Sequence, residues 1–170
     1  EGYTFGGWGA EVPATMPAQN LNFITQWKLN TYSIVYKLNG GENHPDNVTY
    51  YTSESSDIEF APATRSGYTF GGWYSDEALT EPITAIAGGS TGAVTVYAKW
   101  TANTYTVKMH LNNNTADVIS QTFTFDVRAA LTKHNATYTG YSFVGWATEA
   151  NGDAIYTNGA KLSNLTDEAN

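Results

Sequence analysis

The chain has 170 residues, of which 16 are acidic and 8 are Lys or Arg, giving a formal net charge of −8; it has no cysteine and 14% aromatic residues. This acidic balance argues against electrostatic recognition of nucleic acid, heparin-like polyanions or anionic membranes. No run of about 18 apolar residues could span a bilayer, while 41% hydrophobic residues suffice for packed cores.

The chain opens on a phrase, GYTFGGW at Gly2–Trp8, which returns at Gly67–Trp73 and again, as GYSFVGW, at Gly140–Trp146. Trp73 to Trp146 is a step of 146 − 73 = 73 residues, and the same step relates Asn30-Thr31-Tyr32 to Asn103-Thr104-Tyr105 and Trp27 to Trp100. Between Trp8 and Trp73 the step is 65, because Trp8 and Trp27 lie 19 residues apart where Trp73 and Trp100 lie 27 apart. Agreement of independent landmarks on one period marks a tandem array. It divides the chain into 1–29, the back half of a repeat; 30–102, a complete repeat; and 103–170, a repeat without its closing strand. Residue 1 lies inside a repeat, so the sequence reads as an excerpt.

In chain order, Leu21, Phe23, Thr25 and Trp27 form the stripe of a closing strand. The complete repeat then opens with a strand in which Tyr32, Ile34, Tyr36 and Leu38 share one face, repeated by Tyr105, Val107, Met109 and Leu111. Asn39-Gly40-Gly41 and Asn112-Asn113-Asn114 end these strands with residues that tolerate positive φ. Second strands are expected near Val48–Thr52 and Ser120–Asp126. The stretch that follows, with Ile58 and Phe60 or Val127 and Leu131, could be extended or hold a short helix, limited by Pro62. After the phrase, Val94, Val96, Ala98 and Trp100 take one face of a closing strand and Thr95, Tyr97 and Lys99 the other. The expected fold class is mainly β, or small α+β, with four or five short strands per repeat and little helix.

The phrase itself breaks strict alternation. Tyr68 and Phe70 point the same way in a strand, but Trp73 has the opposite parity. A bulge at Gly71-Gly72 would return the indole to the Phe side. Val144 replaces the first glycine in the third copy, so the backbone demand falls on Gly7, Gly72 and Gly145. A tryptophan that buries ~200 Å² contributes on the order of 5 kcal/mol as an upper bound, comparable to the whole stability of a small repeat. The aromatics are therefore read as a structural core: Tyr3, Phe5, Trp8, Trp27, Tyr32, Tyr36, Tyr68, Phe70, Trp73, Trp100, Tyr141, Phe143 and Trp146, together with Gly72 and Gly145.

Chemistry is sparse. His44, His110 and His134 form no i,i+4 ligand pair and read as surface histidines. The carboxylates of Asp76-Glu77, Asp167-Glu168 and Glu54 with Asp57 are adjacent and solvated, unlike a glycosidase pair held across a cleft. Asn151-Gly152-Asp153 and Asn112-Asn113-Asn114 read as turns instead of calcium loops. Gly88–Gly92 lacks the lysine of a phosphate loop. No catalytic residue, metal site or cofactor is expected.

The segments GYTFGGWYSDEALTEPI and GAVTVYAKW, preceded by YSIVYKLNGG, resemble the Listeria–Bacteroides repeat, the B repeat of internalins. The resemblance covers nearly the whole chain, departing in the short first spacer after Trp8 and the long last one after Trp146. It implies β-grasp-like, ubiquitin-like modules of about 70 residues, arrayed in secreted or wall-attached bacterial proteins with adhesive or spacer roles and no catalytic residues. Partners implied by it are a host or neighbouring-cell surface protein or a glycan. The alternative function is a carbohydrate- or peptide-binding module that uses exposed aromatics, Tyr74, Tyr97 and Tyr138, and sheet edges. Unpaired edges at the two cut repeats also point to self-association of the fragment.

Overall fold

The computed structural model describes residues 1–11, 13–15, 18–135 and 137–168. Positions 12, 16 and 17 of the first spacer, position 136 and the last two positions of the third repeat lie outside them. Every regular element among the described residues is a strand, and none is a helix. The chain forms two compact units: Glu1–Ala63 with Gly71–Lys99, and Thr64–Phe70 with Trp100–Asn170.

The first unit begins with β1 (Tyr3–Trp8) and β2 (Thr25–Leu29), an antiparallel pair. Its register slips between Phe5 and Gly7, which is the bulge that the parity of the phrase requires. Next in chain order come β3 (Tyr32–Lys37), β4 (Tyr50–Tyr51), β5 (Ile58–Glu59), β6 (Tyr68–Tyr74), β7 (Pro82–Ile83), β8 (Ala85–Ile86) and β9 (Val94–Ala102), of which the start of β6, to Phe70, and the end of β9, from Trp100, belong to the second unit. Five of these form one sheet in the order β4-β3-β9-β6-β7, while β5 and β8 pair separately. At the sheet's centre β3 and β9 run parallel, with Ile34 opposite Val94 and Lys37 opposite Tyr97.

The expected stripes hold in the complete repeat, whereas Leu21 and Phe23, expected in the closing strand of the first, precede β2, whose Thr25 and Trp27 are exposed. Ile34 is buried between flanking half-buried Tyr32 and Tyr36, and Val96 and Ala98 are buried on β9. Asn39 (φ 49°) and Gly40 (φ 89°) take the positive φ that ends β3. The complete repeat makes seven strands, more than the four or five expected, because four of them are only two residues long. The second strand is also shorter than Val48–Thr52. Asn47 turns inward there and is buried, bonding the backbone of Ala61 from both ends of its amide: Nδ2 donates to Ala61 O (3.0 Å) and Ala61 N donates to Oδ1 (2.8 Å). The stretch around Ile58 and Phe60 is extended, and Phe60 N donates to Thr84 O at 2.8 Å.

In the second unit β10 (Thr104–His110) and β11 (Val118–Thr124) pair in unbroken antiparallel register from Thr104–Thr124 to His110–Val118. β12 (Ala129–Ala130) and β13 (Lys161–Leu162) repeat the β5–β8 pair of the preceding repeat. Tyr105, Met109, Phe123, Leu131, Trp146 and Leu162 form the core of this unit. The bridge from Trp146 to Tyr156 repeats the pairing of Trp73 with Ile83.

Candidate functional site

The three copies of the phrase are the candidate site, and in the first two the structure splits the phrase into two halves with different tasks. The second half, Phe-x-Gly-Trp, is built by backbone conformation. Gly7, Gly72 and Gly145 have φ of 115°, 105° and 148°, values that L side chains rarely adopt. In the first copy the bulge carries the indole back toward the phenylalanine three residues earlier, so that Phe5 and Trp8 meet edge-to-face with centroids 5.4 Å apart, and in the third Phe143 and Trp146 meet in the same way at 5.1 Å. Trp73 is 3% exposed, packs on Tyr36 and Phe60, and donates its indole N–H to Ala61 O at 2.9 Å. Trp146 is 8% exposed.

Other members of the expected core are not inside. Tyr3, Phe5, Trp8 and Trp27 are 43 to 61% exposed. They sit on the β1–β2 hairpin, which pairs with no third strand among the described residues, so their rings cluster with one another: Phe5 with Trp8 and Trp27, and Trp8 with Phe23. Tyr141 is 73% and Phe143 38% exposed. Phe70 and Trp100 are half-buried and meet edge-to-face at 5.3 Å.

The first half, Gly-Tyr-Thr, faces the hairpin that opens the following repeat. In the first copy Asn30 N donates to Gly2 O (2.8 Å), the Thr4 hydroxyl donates to Asn30 Oδ1 (2.6 Å) and the Tyr3 hydroxyl donates to Glu54 (2.6 Å). In the second copy Asn103 N donates to Gly67 O (2.9 Å), the Thr69 hydroxyl to Asn103 Oδ1 (2.7 Å) and the Tyr68 hydroxyl to Asp126 (2.7 Å). The three bonds recur in kind. The hydrogen bond to a carboxylate raises the Tyr3 and Tyr68 phenols above their ordinary value, with desolvation as a smaller cause. Asp126 is held below the usual carboxylate range by the Tyr68 hydroxyl and then by the Asn164 amide.

The expected binding tyrosines do not make one site. Tyr74 lies under the Lys99 ammonium, 4.9 Å from the ring centroid, and Tyr97 is half-buried on β9; both are in the first unit. Tyr138, in the second unit, stacks on Tyr141 with centroids 4.7 Å apart and planes 7° from parallel. The pair lines a shallow depression of about 510 Å³ whose other walls are Asn113, Thr115, Thr137 and Thr139.

Among the described residues no three His, Asp or Glu side chains converge as metal ligands. His110 is exposed, and His44 Nδ1 lies 3.6 Å from the Asp46 carboxylate. His134 is half-buried, its backbone bonded at both ends by the Asn158 amide. Asp76 caps a turn, accepting from Glu81 N (2.7 Å), Thr80 N and the Thr80 hydroxyl. Those donors hold its carboxyl below the usual range, the Glu81 N–H foremost.

Residues 32–99 and again 105–166 match the Listeria-Bacteroides repeat domain. The chain is 28% identical, over 89% of its length, to a protein of Evansella cellulosilytica named as a membrane protein, covering 24% of that protein. A second protein of that organism, named as a Gly-rich membrane protein, is 30% identical over 86% of the chain and 17% of its own length. Internalin H of Listeria monocytogenes is 33% identical over 61% of the chain and 20% of its own length. The chain thus spans a quarter or less of these relatives. No solved structure matches the chain.

Proposed function

The chain belongs to the Listeria-Bacteroides repeat domain family, and from that premise we propose that it is a non-catalytic tandem-repeat segment of a bacterial cell-surface protein. Held outside the cell, it acts as a spacer stalk and takes part in adhesion to a protein or glycan on a host or neighbouring cell. The names of the membrane-protein and internalin relatives support the surface placement. The observation that carries the stalk reading is the joint: the same three hydrogen bonds fasten the phrase of one repeat to the opening hairpin of the next, twice in this chain. A spacer needs such repeated, short couplings.

The modules in this reading are β-grasp-like, divided at 1–29, 30–102 and 103–170. The order β4-β3-β9-β6-β7 with its central parallel pair supports this: numbered within the repeat, the five sheet strands run second-first-fifth-third-fourth. Small-angle scattering of the chain tests the stalk. An elongated particle is expected, and a compact globule of freely reorienting repeats overturns it.

A second reading, a carbohydrate-binding module, is favoured by the stacked Tyr138–Tyr141 platform with its Asn and Thr walls. It ranks below the stalk because Arg65 stands over the Tyr68 ring, 3.7 Å from the centroid, where Tyr138 stands over Tyr141. The platform position thus belongs to the scaffold of the repeat. Glycan-array binding that is abolished by Tyr138→Ala would reverse that ranking.

A further inference from the structure

The Gly-Tyr-hydroxyl half of the phrase has a specific chemistry in its two engaged copies. A Cβ on Gly2 would run into the Ser53 side chain, and one on Gly67 into the Phe125 ring. Both glycines have positive φ, 86° and 78°. Their carbonyls accept from an asparagine that precedes the opening strand, Asn30 or Asn103. The tyrosine hydroxyl reaches a carboxylate just beyond the second strand of the hairpin, Glu54 or Asp126. Glycine, hydroxyl and tyrosine thus grip the open end of one hairpin at three points: the backbone where the chain enters, the asparagine side chain there, and the carboxylate just past where the chain leaves.

The third copy keeps all three. Gly140 has φ of 83°, Tyr141 keeps the phenol, and Ser142 keeps the hydroxyl. The turn that presents it is also kept: Tyr141 N donates to Tyr138 O at 2.9 Å, as Tyr68 N does to Arg65 O at 3.1 Å. What differs is the surroundings. A Cβ on Gly140 would meet nothing within 4 Å, and Tyr141 is 73% exposed.

We propose that Gly140, Tyr141 and Ser142 form a docking edge for the opening hairpin of a further repeat of the same kind. In the docked state an asparagine N–H of that hairpin donates to Gly140 O, its side-chain oxygen accepts from Ser142, and a carboxylate beyond its second strand accepts from Tyr141. The Tyr138 ring holds Tyr141 in place as Arg65 does Tyr68. This edge deepens the stalk reading and rests on it, since it names what couples each repeat to its neighbour.

The test extends the full chain by a copy of residues 94–168 placed directly after Asn170. Leu162 then stands 171 − 162 = 9 residues before the appended Val94, close to the 94 − 86 = 8 that separate Ile86 from Val94. Amide exchange by NMR is read at the appended copy of Asn103, with Asn30 and Asn103 as internal references for folded joints. The expected result is protection of the appended Asn amide by roughly 100-fold over an unstructured amide. That protection falls roughly tenfold in Gly140→Ala and in Tyr141→Phe, while Asn30 and Asn103 stay unchanged. An appended amide exchanging at the unstructured rate beside protected Asn30 and Asn103 overturns the proposal, as does protection indifferent to both substitutions. Scattering of the same extended chain is read separately: an elongated particle with an unprotected appended amide removes the docking edge and leaves the stalk standing.

Discussion

Trp8 and Trp73 occupy the same place in the same seven-residue phrase, yet truncating them to alanine should cost very different amounts. Trp73 is 3% exposed, against 51% for Trp8. At ~25 cal/mol per Å², burying about 200 Å² of indole contributes ~5 kcal/mol as an upper bound, and the half-exposed Trp8 contributes about half of that. Trp73→Ala also opens a cavity among Tyr36 and Phe60 and leaves one donor fewer on Ala61 O. The expected cost is about 3–5 kcal/mol for Trp73→Ala and under about 2 kcal/mol for Trp8→Ala. A single melting curve would blend several repeats, so the assay is native-state amide exchange at the buried β9 residues Val96 and Ala98. Opening should become easier by the full cost at Val96 and Ala98 in Trp73→Ala, and by under about 2 kcal/mol at the paired Phe5 and Trp27 amides of β1 and β2 in Trp8→Ala. Equal effects, or a Trp73 effect below about 1 kcal/mol, would refute burial as the reason for the repeated tryptophan.

Gly145→Ala should destabilise its repeat more than Gly72→Ala does. Both impose strain of about 1–3 kcal/mol, but a Cβ at Gly145 would also lie 2.6 Å from Tyr156 O, whereas at Gly72 it meets only the Tyr74 ring edge at 3.9 Å; native-state amide exchange, read at Val96 for Gly72→Ala and at Phe123 for Gly145→Ala, checks the order. The Asp76 carboxyl is held low by its turn donors, so its contribution is present above the ordinary carboxylate pKa and is lost as pH falls through the folded value. Asp76→Asn should therefore weaken the acid dependence of stability below about pH 5, read from denaturant midpoints across pH. The exposed Phe5, Trp8 and Trp27 face should make the chain associate with rising concentration. Trp27→Ser should shift sedimentation toward the monomer, and a wild-type chain monomeric at every concentration would contradict this.

Much of the fold was legible because it is periodic. The alternation of Tyr32, Ile34 and Tyr36, the positive-φ turn at Asn39-Gly40, the positive φ demanded at Gly7, Gly72 and Gly145 and the bulge at Gly7 are local signals, and all appear where the residues place them. The joint was not legible in that way. Tyr3 meets Glu54 at a separation of 51 residues and Tyr68 meets Asp126 at 58, so no fixed spacing links hydroxyl to carboxylate. Aligning the second strands, with an acid just beyond each, is the signal that could have found it. The Ala61 and His134 backbones are each gripped by an asparagine amide, but Asn47 comes from before that segment and Asn158 from after it. Repeat alignment alone could not equate them. Exposure of Trp8 and Trp27 escaped because a hydrophobic stripe shows which face a residue shares and not whether a second layer covers it.

Indole N–H exchange, resolved by NMR for the five tryptophans, tests most directly whether the phrase turns its tryptophan inward. Trp73, hydrogen-bonded to Ala61 O and 3% exposed, should exchange slowest, and Trp146 should follow it. Trp8 and Trp27 should exchange at nearly the free rate. Free exchange at Trp73 and Trp146, matching Trp8, would contradict a buried role and return the repeated aromatics to a recognition surface.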